Sequence, residues 1–231
     1  MDYFIEQLAN GLIIGGIYAL IALGYTLIYG VLQFLNLAHG ELYMMGSFFG
    51  FFTMVALGGP ATAVVPIWLM ISLMFLVAMG GGALLGVAVE RFAYRPLRKS
   101  RRLAALISAL GVSLFLQSAA LLLFGAKIRL YDTGMFINLR TGFNIGTARI
   151  DITEVLVVLL SVTLMIVLWI MVNRSQFGRA MRAVAVDQDA AVMNGIDVDR
   201  IVVITFALAS GLAGAAGVMA GLLLFPIDQY M

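Results

Sequence analysis

One short stretch places an imidazole and a carboxylate close together inside apolar sequence. The segment FLNLAHGELYMMG, residues 34–46, carries His39, the single histidine of the chain, and Glu41 two positions later. Side chains of these types can pass a proton, act as a base for a nucleophile or contribute to a metal site. Whether any of these reactions is available depends on the partners that the rest of the chain supplies.

Those partners are missing for enzymatic chemistry. One histidine and no cysteine cannot build a His/Cys zinc site, so neither a metal nor a cofactor is predicted. No G-x-S-x-G sequence offers a nucleophile, and the two lysines, Lys99 and Lys127, lack the context of a phosphate loop. The chain is therefore predicted not to be an enzyme by itself, and any ATP that drives it is hydrolysed on another subunit. His39 and Glu41 are the only ionisable groups expected at depth, so a proton relay would have no continuation.

The elements that must position this pair are membrane helices. Hydrophobic residues make up 63% of the 231 residues and charged residues 11%, which is too apolar for one soluble core. About 20 apolar residues cross a bilayer as a helix, and backbone groups in lipid must be satisfied internally. We predict an all-α polytopic bundle of six spans that forms a single domain over 1–231. The six apolar runs are approximately 8–29, 37–57, 64–89, 103–124, 155–172 and 201–225.

The basic residues orient the bundle. Ten of the 14 Lys and Arg residues fall in the loops after runs three and five, which two spans separate, so both loops can share one side. The positive-inside rule makes that side cytoplasmic and places the N-terminus outside. Tyr94 is expected as an interface anchor, and Glu90 is expected to pair at the surface with Arg91. The outside loop, 125–153, is expected to form short strands or a hairpin.

Glycine spacing predicts tight helix packing. Small residues four apart let helix backbones approach closely in lipid. The packing candidates are Gly11, Gly15, Gly214, Gly217 and Gly221.

Polar residues cluster where runs one and two meet, and two interpretations stay open. Gln33, Asn36, His39, Gly40 and Glu41 interrupt apolar sequence there and are the candidates for a pathway or gate. In one interpretation a loop or broken helix dips into the membrane and lines a cavity. In the other, Asn36 caps run two, Glu41 lies in its first turn, and His39 fills a hydrogen-bonding niche near the inner mouth.

The loop 174–200 is the second unusual segment. Residues 178–193 predict one short helix, and Asn194 and Gly195 predict its end. Such a helix on the cytoplasmic face either docks on a partner protein or is an ordinary amphipathic surface helix.

Two long segments carry a family resemblance. NGLIIGGIYALIALGYTLIYGVLQFLNLAHGELYMMG, 10–46, and GRAMRAVAVDQDAAVMNGIDVDRIVVITFALASGLAGAAGVMAG, 178–221, resemble the H-type permeases of the branched-chain amino acid ABC importers. Asp189, Ala190 and Ala191 with Gly195 match the family's E-A-A-x-x-x-G element, with Asp in place of Glu. The resemblance implies a coupling loop over 174–200, including Gly178 and Arg182. Family members run on past Met231 through a glycine-rich stretch, so a C-terminally truncated product or fragment is expected.

The resemblance also implies the rest of a machine in a bacterial inner membrane. A second, M-type permease would complete the pathway, two cytosolic ABC ATPases would dock on the inner loops, and an extracytoplasmic binding protein would deliver leucine, isoleucine or valine. Permeases for urea or short-chain amides are similar and remain the alternative. A membrane scaffold without a pathway and an intramembrane hydrolase are the alternatives from other classes. A polar cavity between runs one, two and six would favour transport over a scaffold.

Overall fold

Eight α-helices and one small hairpin make up the computed structural model, which describes residues 2–58, 66–98, 102–131, 142–145, 148–223 and 226–228. The helices are α1 (Asp2–Leu32), α2 (His39–Ala56), α3 (Ile67–Val89), α4 (Arg102–Phe124), α5 (Ile152–Arg174), α6 (Gln176–Val186), α7 (Gln188–Met193) and α8 (Val198–Leu222). After α3, a π-turn at Glu90–Tyr94 and a 3₁₀ turn at Arg95–Leu97 continue the chain.

The predicted all-α membrane fold is confirmed, because each apolar run lies on a helix. Five helices in the described part of the chain are long and apolar enough to cross a membrane, and they belong to α1, α3, α4, α5 and α8. The 18-residue α2 is not among them. The count of six spans and the outside N-terminus therefore stay predictions.

The centre of the bundle is α8, which α1, α2 and α3 surround. Every residue from 209 to 222 is buried. Small residues make this possible, since Gly214 touches the backbone of Gly46 in α2 on one side and of Ala78 in α3 on the other. A Cβ added to Gly214 would lie 2.9 Å from the Ala78 carbonyl carbon, so the spacing leaves no room for a side chain.

Not all the candidate packing glycines lie against the backbone of another helix. Gly217 lies against the α2 backbone, where an added Cβ would be 2.7 Å from the Ser47 nitrogen, and Gly221 lies against the ring of Tyr131. Gly11 and Gly15, in contrast, have nothing within 4 Å of an added Cβ and face outward. The expectation of helix packing is wrong for these two within this chain, because α5 and α8 cross α1 on its other faces, for example at Gly16.

The two basic loops meet at one end of the bundle, which we call the basic end. Arg95 and Arg98 pair with Asp199 at the start of α8, and the Gln33 side chain donates to the Ala185 carbonyl of α6 (3.4 Å). At the opposite end, β1 (Gly142–Ile145) pairs antiparallel with β2 (Ala148–Asp151), so the predicted hairpin is confirmed.

Candidate functional site

The site is organised by α2, which begins inside the bundle instead of at its end. His39, its first residue, lies against Gly24 of α1, and the Ala209 carbonyl of α8 approaches the same glycine. Gly24 is eight residues from the end of α1, about 12 Å, and Ala209 is eleven residues into α8, about 17 Å. Because the hydrocarbon core is about 30 Å thick, α2 starts near mid-depth.

A non-helical segment brings the chain up to this point. Gln33 directly follows α1 with a positive φ of 57°, and Asn36, three residues later, is buried in the bundle. Asn36 holds it, since its Oδ1 accepts hydrogen bonds from the Ala38 nitrogen (3.1 Å) and the Tyr94 hydroxyl (2.5 Å). The dipping segment of the first interpretation is thus present. The helix cap of the second interpretation is absent, because Ala38, and not Asn36, directly precedes α2. The Asn36 side chain braces the loop instead.

Tyr94 is not an interface anchor. Its side chain is buried in the bundle, where it packs against Phe34 and Phe206 and donates to Asn36. The π-turn that contains it turns the side chain inward, which a count of residues from the end of the apolar run cannot reveal.

The His39 ring makes packing contacts, while its backbone nitrogen donates to the Asn36 carbonyl (3.1 Å). The ring is fully buried, and its centroid lies 4.5 Å from that of Tyr25 in an edge-to-face arrangement. Neither ring nitrogen has a hydrogen-bond partner in the described part of the chain. The expected hydrogen-bonding niche is therefore wrong.

Glu41 points to a different helix. It lies in the first turn of α2, and its Oε1 accepts from Ser113 Oγ and from Gln117 Nε2 of α4, each at 2.8 Å. Ser113 is eleven residues into α4, about 17 Å, which puts the carboxylate at the same depth as His39. Ser113 and Gln117 were not predicted as part of the site. Two polar residues four apart in an apolar run lie on one face of a helix, which was a signal that this face meets a polar partner.

Tyrosines extend the polar groups toward both ends of the bundle. The Tyr94 hydroxyl donates to Asn36, the Tyr25 ring lies against the His39 ring, and the Tyr131 hydroxyl donates to the Ser47 carbonyl of α2. We call Tyr94, Tyr25 and Tyr131 the tyrosine row. The row was not predicted, because its members come from three separate segments.

Of the five pathway candidates, four meet at the start of α2 and one does not. Asn36, His39, Gly40 and Glu41 are adjacent there, and the Tyr25 hydroxyl would lie 3.9 Å from a Cβ on Gly40. Gln33 is at the basic end, on a polar cavity of about 300 Å³. This cavity differs from the one expected between runs one, two and six. It is lined by the segment between α1 and α2, by the turns that follow α3, and by residues of α4 and α7.

A charged cluster closes the bundle beside that cavity. Glu90 is fully buried and pairs with Arg98, which also donates to Asp199 at 2.5 Å. The expected surface pair with Arg91 is wrong, because the π-turn and 3₁₀ turn bring residue 98 back onto Glu90. The cluster ties the end of α3 to the start of α8.

The loop 174–200 folds as two helices, not one. Asp187 interrupts the predicted helix and caps α7, accepting from the Asp189 nitrogen (2.9 Å) and the Ala190 nitrogen (3.0 Å). The predicted stop is confirmed. Gly195 has φ of 77°, and the backbone hydrogen bonds from Gly195 to Val192 and from Ile196 to Ala191 form a Schellman motif.

The side chains of this loop divide into anchors and surface. An added Cβ on Gly178 would lie 2.5 Å from the Val172 carbonyl carbon, Arg182 donates to the Val172 carbonyl oxygen, and Ala191 is only 3% exposed. Asp189, Ala190 and Gly195 are exposed. Two large apolar side chains are almost fully exposed beside them, Val186 at 88% and Met193 at 87%.

At the opposite end, one tyrosine fills the groove between α2 and α8. The Tyr131 hydroxyl donates to the Ser47 carbonyl (2.9 Å), and its ring occupies the space that Gly50 and Gly221 leave. Burial raises the pKa of Tyr131 above its usual range. Arg129 lies over the Phe52 ring at 4.9 Å, and its backbone pairs with Ile227.

Known proteins supply the context for this arrangement. Residues 7–228 match the family described as branched-chain amino acid transport system, permease component. The high-affinity branched-chain amino acid transport system permease protein LivH of Escherichia coli K12 is 37% identical over 99% of this chain and 74% of its own length. LivH of Salmonella typhimurium is 36% identical with the same coverage, and BraD of Pseudomonas aeruginosa is 37% identical over 95% of this chain and 71% of its own length.

No solved structure matches the chain. In the described residues no group of three or more His, Cys, Asp or Glu side chains could hold a metal ion. A match over nearly the whole chain, on a bundle of membrane helices with polar groups at mid-depth, establishes that this chain belongs to the family of branched-chain amino acid transport permease components.

Proposed function

We propose that the chain is the permease subunit of an ATP-driven importer that carries branched-chain amino acids across a bacterial inner membrane. The observation that carries the proposal is the start of α2 at mid-depth, with Asn36, His39 and Glu41 buried around it. Polar side chains at that depth are costly in lipid and are generally kept for a pathway. The names of the relatives supply the substrate.

The pathway follows the polar residues from the opposite end to the basic end. Asn36, His39, Gly40 and Glu41 border its middle, the tyrosine row extends it, and Gln33 lies at its inner mouth. In this state the Tyr131 ring fills the outer groove. Alternating access would open one end while the other is closed, with the basic end in the cytoplasm as its ten Lys and Arg residues favour.

The loop 174–200 couples the subunit to ATP. A chain without a phosphate loop must receive the energy by contact. The exposed Val186 and Met193 offer apolar area at the basic end, where water would otherwise cover them. Gly178, Arg182 and Ala191 attach the loop to the bundle, while Asp189, Ala190 and Gly195 lie on its free surface. The proposed occupant is a cytosolic ABC ATPase.

The remaining partners follow from the open faces of the bundle. The outer surfaces of α4 and α5 expose large apolar side chains, such as Phe115, Leu122 and Trp169. Lipid and a second, M-type permease would cover them. An extracytoplasmic binding protein would deliver the amino acid at the end opposite the basic one, and the ATPases would form a pair beneath the two permeases.

The direct test is uptake by the complete complex in liposomes. Radiolabelled leucine and radiolabelled urea are supplied with the cognate binding protein, and ATP is placed on the ATPase side. We expect ATP-dependent accumulation of leucine and no uptake of urea above the rate of ATP-free vesicles. Urea uptake without leucine uptake would move the chain to the urea and amide permeases, and uptake of neither would favour a scaffold.

A further inference from the structure

We propose that the Glu41 carboxylate receives the α-ammonium group of the transported amino acid. The inference rests on the proposed function and names the group on the substrate that this site recognises. It follows from the position, the partners and the accessibility of one side chain.

In the described part of the chain, Glu41 has hydrogen-bond donors but forms no ion pair. Both of its hydrogen bonds, from Ser113 and Gln117, reach the same oxygen, Oε1. The ion pairs that the structure describes join Arg95 and Arg98 to other acids at the basic end, and none includes Glu41. His39 is two residues away, but its ring packs on α1, against Gly24 and Tyr25.

A buried acid without a cation is unusual in a membrane. Ionisable side chains within membrane segments almost always pair with one another, with backbone groups or with a ligand. The N-terminal dipole of α2 and the two donors of α4 offset part of the cost of the negative charge. None of them brings the full opposite charge, which a substrate ammonium group would supply.

The approach proposed for the ligand is the face between α1, α2 and α4. Glu41 is 8% exposed, and its neighbours Tyr25, Gly40, Ser113 and Gln117 are partly exposed. α4 is the peripheral helix on this face, and its main contacts are with α2 and the π-turn. The carboxylate therefore lies just beneath a surface that one lightly held helix borders.

The charge also separates the two candidate substrate classes. A branched-chain amino acid is a zwitterion and presents an ammonium group, whereas urea and short-chain amides are neutral. A lone carboxylate at mid-depth discriminates in favour of the first class, because the charge-assisted hydrogen bond is lost with a neutral ligand.

The test is Glu41→Gln in the complete complex, measured as leucine uptake at saturating binding protein. Glutamine keeps an oxygen acceptor for Ser113 and Gln117 but removes the charge. We expect uptake to fall by roughly tenfold to a hundredfold, the loss of one hydrogen bond to a charged group. Assembly and ATP hydrolysis stimulated by the binding protein should be retained. Glu154→Gln is the matched control, because Glu154 caps the start of α5 at the opposite end.

A second variant separates charge from tethering. Ser113→Ala with Gln117→Ala removes both hydrogen bonds to α4 but leaves the carboxylate, and we expect a smaller fall in uptake than with Glu41→Gln. Equal losses in the two variants, or wild-type uptake in Glu41→Gln, would overturn the assignment. Loss of assembly in Glu41→Gln would also overturn it, since the cation would then come from a partner subunit. A wild-type complex that imports urea and not leucine would overturn the proposed function itself, and the ammonium assignment with it.

Discussion

Gly214 offers a quantitative test of the packing around α8. Replacing it with alanine adds one methyl group at the point where α8 meets both α2 and α3. That methyl would lie 2.9 Å from the Ala78 carbonyl carbon and 3.4 Å from the Met79 nitrogen. Both neighbours are backbone atoms of a helix, so relief requires α3 to move away from α8 as a body.

The expected cost follows from two opposing effects. Alanine favours a helix over glycine by up to about 1 kcal/mol, and an extra methyl in a filled core costs about 1–3 kcal/mol. Gly11→Ala provides the first effect alone, because nothing lies within 4 Å of its added Cβ. The difference between the two variants is therefore the overpacking cost, about 1–3 kcal/mol. For a chain of this size that difference corresponds to about 2–12 °C in apparent melting temperature.

The assay is thermal melting of the purified subunit in detergent. The quantity measured is the fraction of protein that remains monodisperse after heating. We expect Gly214→Ala to melt below wild type and Gly11→Ala to melt at or above it. Equal melting temperatures for the two variants would refute the close three-helix contact at Gly214. A Gly11→Ala variant that melts normally alone but assembles poorly would place the outward glycine face of α1 against a partner subunit.

Three further outcomes test orientation, coupling and the role of the imidazole. In this cysteine-free chain, Gln176→Cys should resist a membrane-impermeant thiol reagent added outside intact cells while Lys127→Cys reacts, and the reverse pattern would invert the topology. Met193→Glu should abolish stimulated ATP hydrolysis without disturbing the fold, because the Met193 side chain is 87% exposed. Ala191→Glu should instead unfold the loop, because residue 191 is buried. A folded Met193→Glu variant that still couples ATP hydrolysis to transport would exclude this surface as the docking site. His39→Gln should leave uptake independent of pH between about pH 6 and 8, and a pH-dependent component present in wild type but lost in the variant would show a proton relay.

The helices could be predicted because their signal is local and long. Each apolar run has about 18 residues or more, close to the length that crosses a bilayer, and lipid permits few alternatives to a helix. The stop at Gly195 was predictable for the same reason, since a glycine after a helical run adopts the left-handed conformation readily. The break at Asp187 also had a local signal, a capping aspartate directly before Gln188 and Asp189, but the helical pattern around it was stronger.

The site could be predicted only in part, because its partners are distant in sequence. His39 and Glu41 were identifiable as polar residues in apolar surroundings, but their depth depends on where α2 begins relative to α1 and α8. The partners of Glu41 lie more than 70 residues away, and hydropathy does not encode that pairing. Glu90 was misassigned because a π-turn changes which later residue it faces, and no periodic pattern reports such a turn.

The start of α2 at mid-depth has an electrical consequence. A membrane potential falls mainly across the poorly conducting part of the path, and here the non-helical segment 33–38 and the polar cavity beside Gln33 occupy the half next to the basic end. Most of the voltage should therefore drop across the other half, where Gly46, Gly214 and Tyr131 close the contact between helices. A potential of 100 mV is worth about 2.3 kcal/mol for each elementary charge that crosses it. A zwitterion carries no net charge across this closed half of the path. A leaking cation, in contrast, would cross nearly the whole potential difference within a few helical turns.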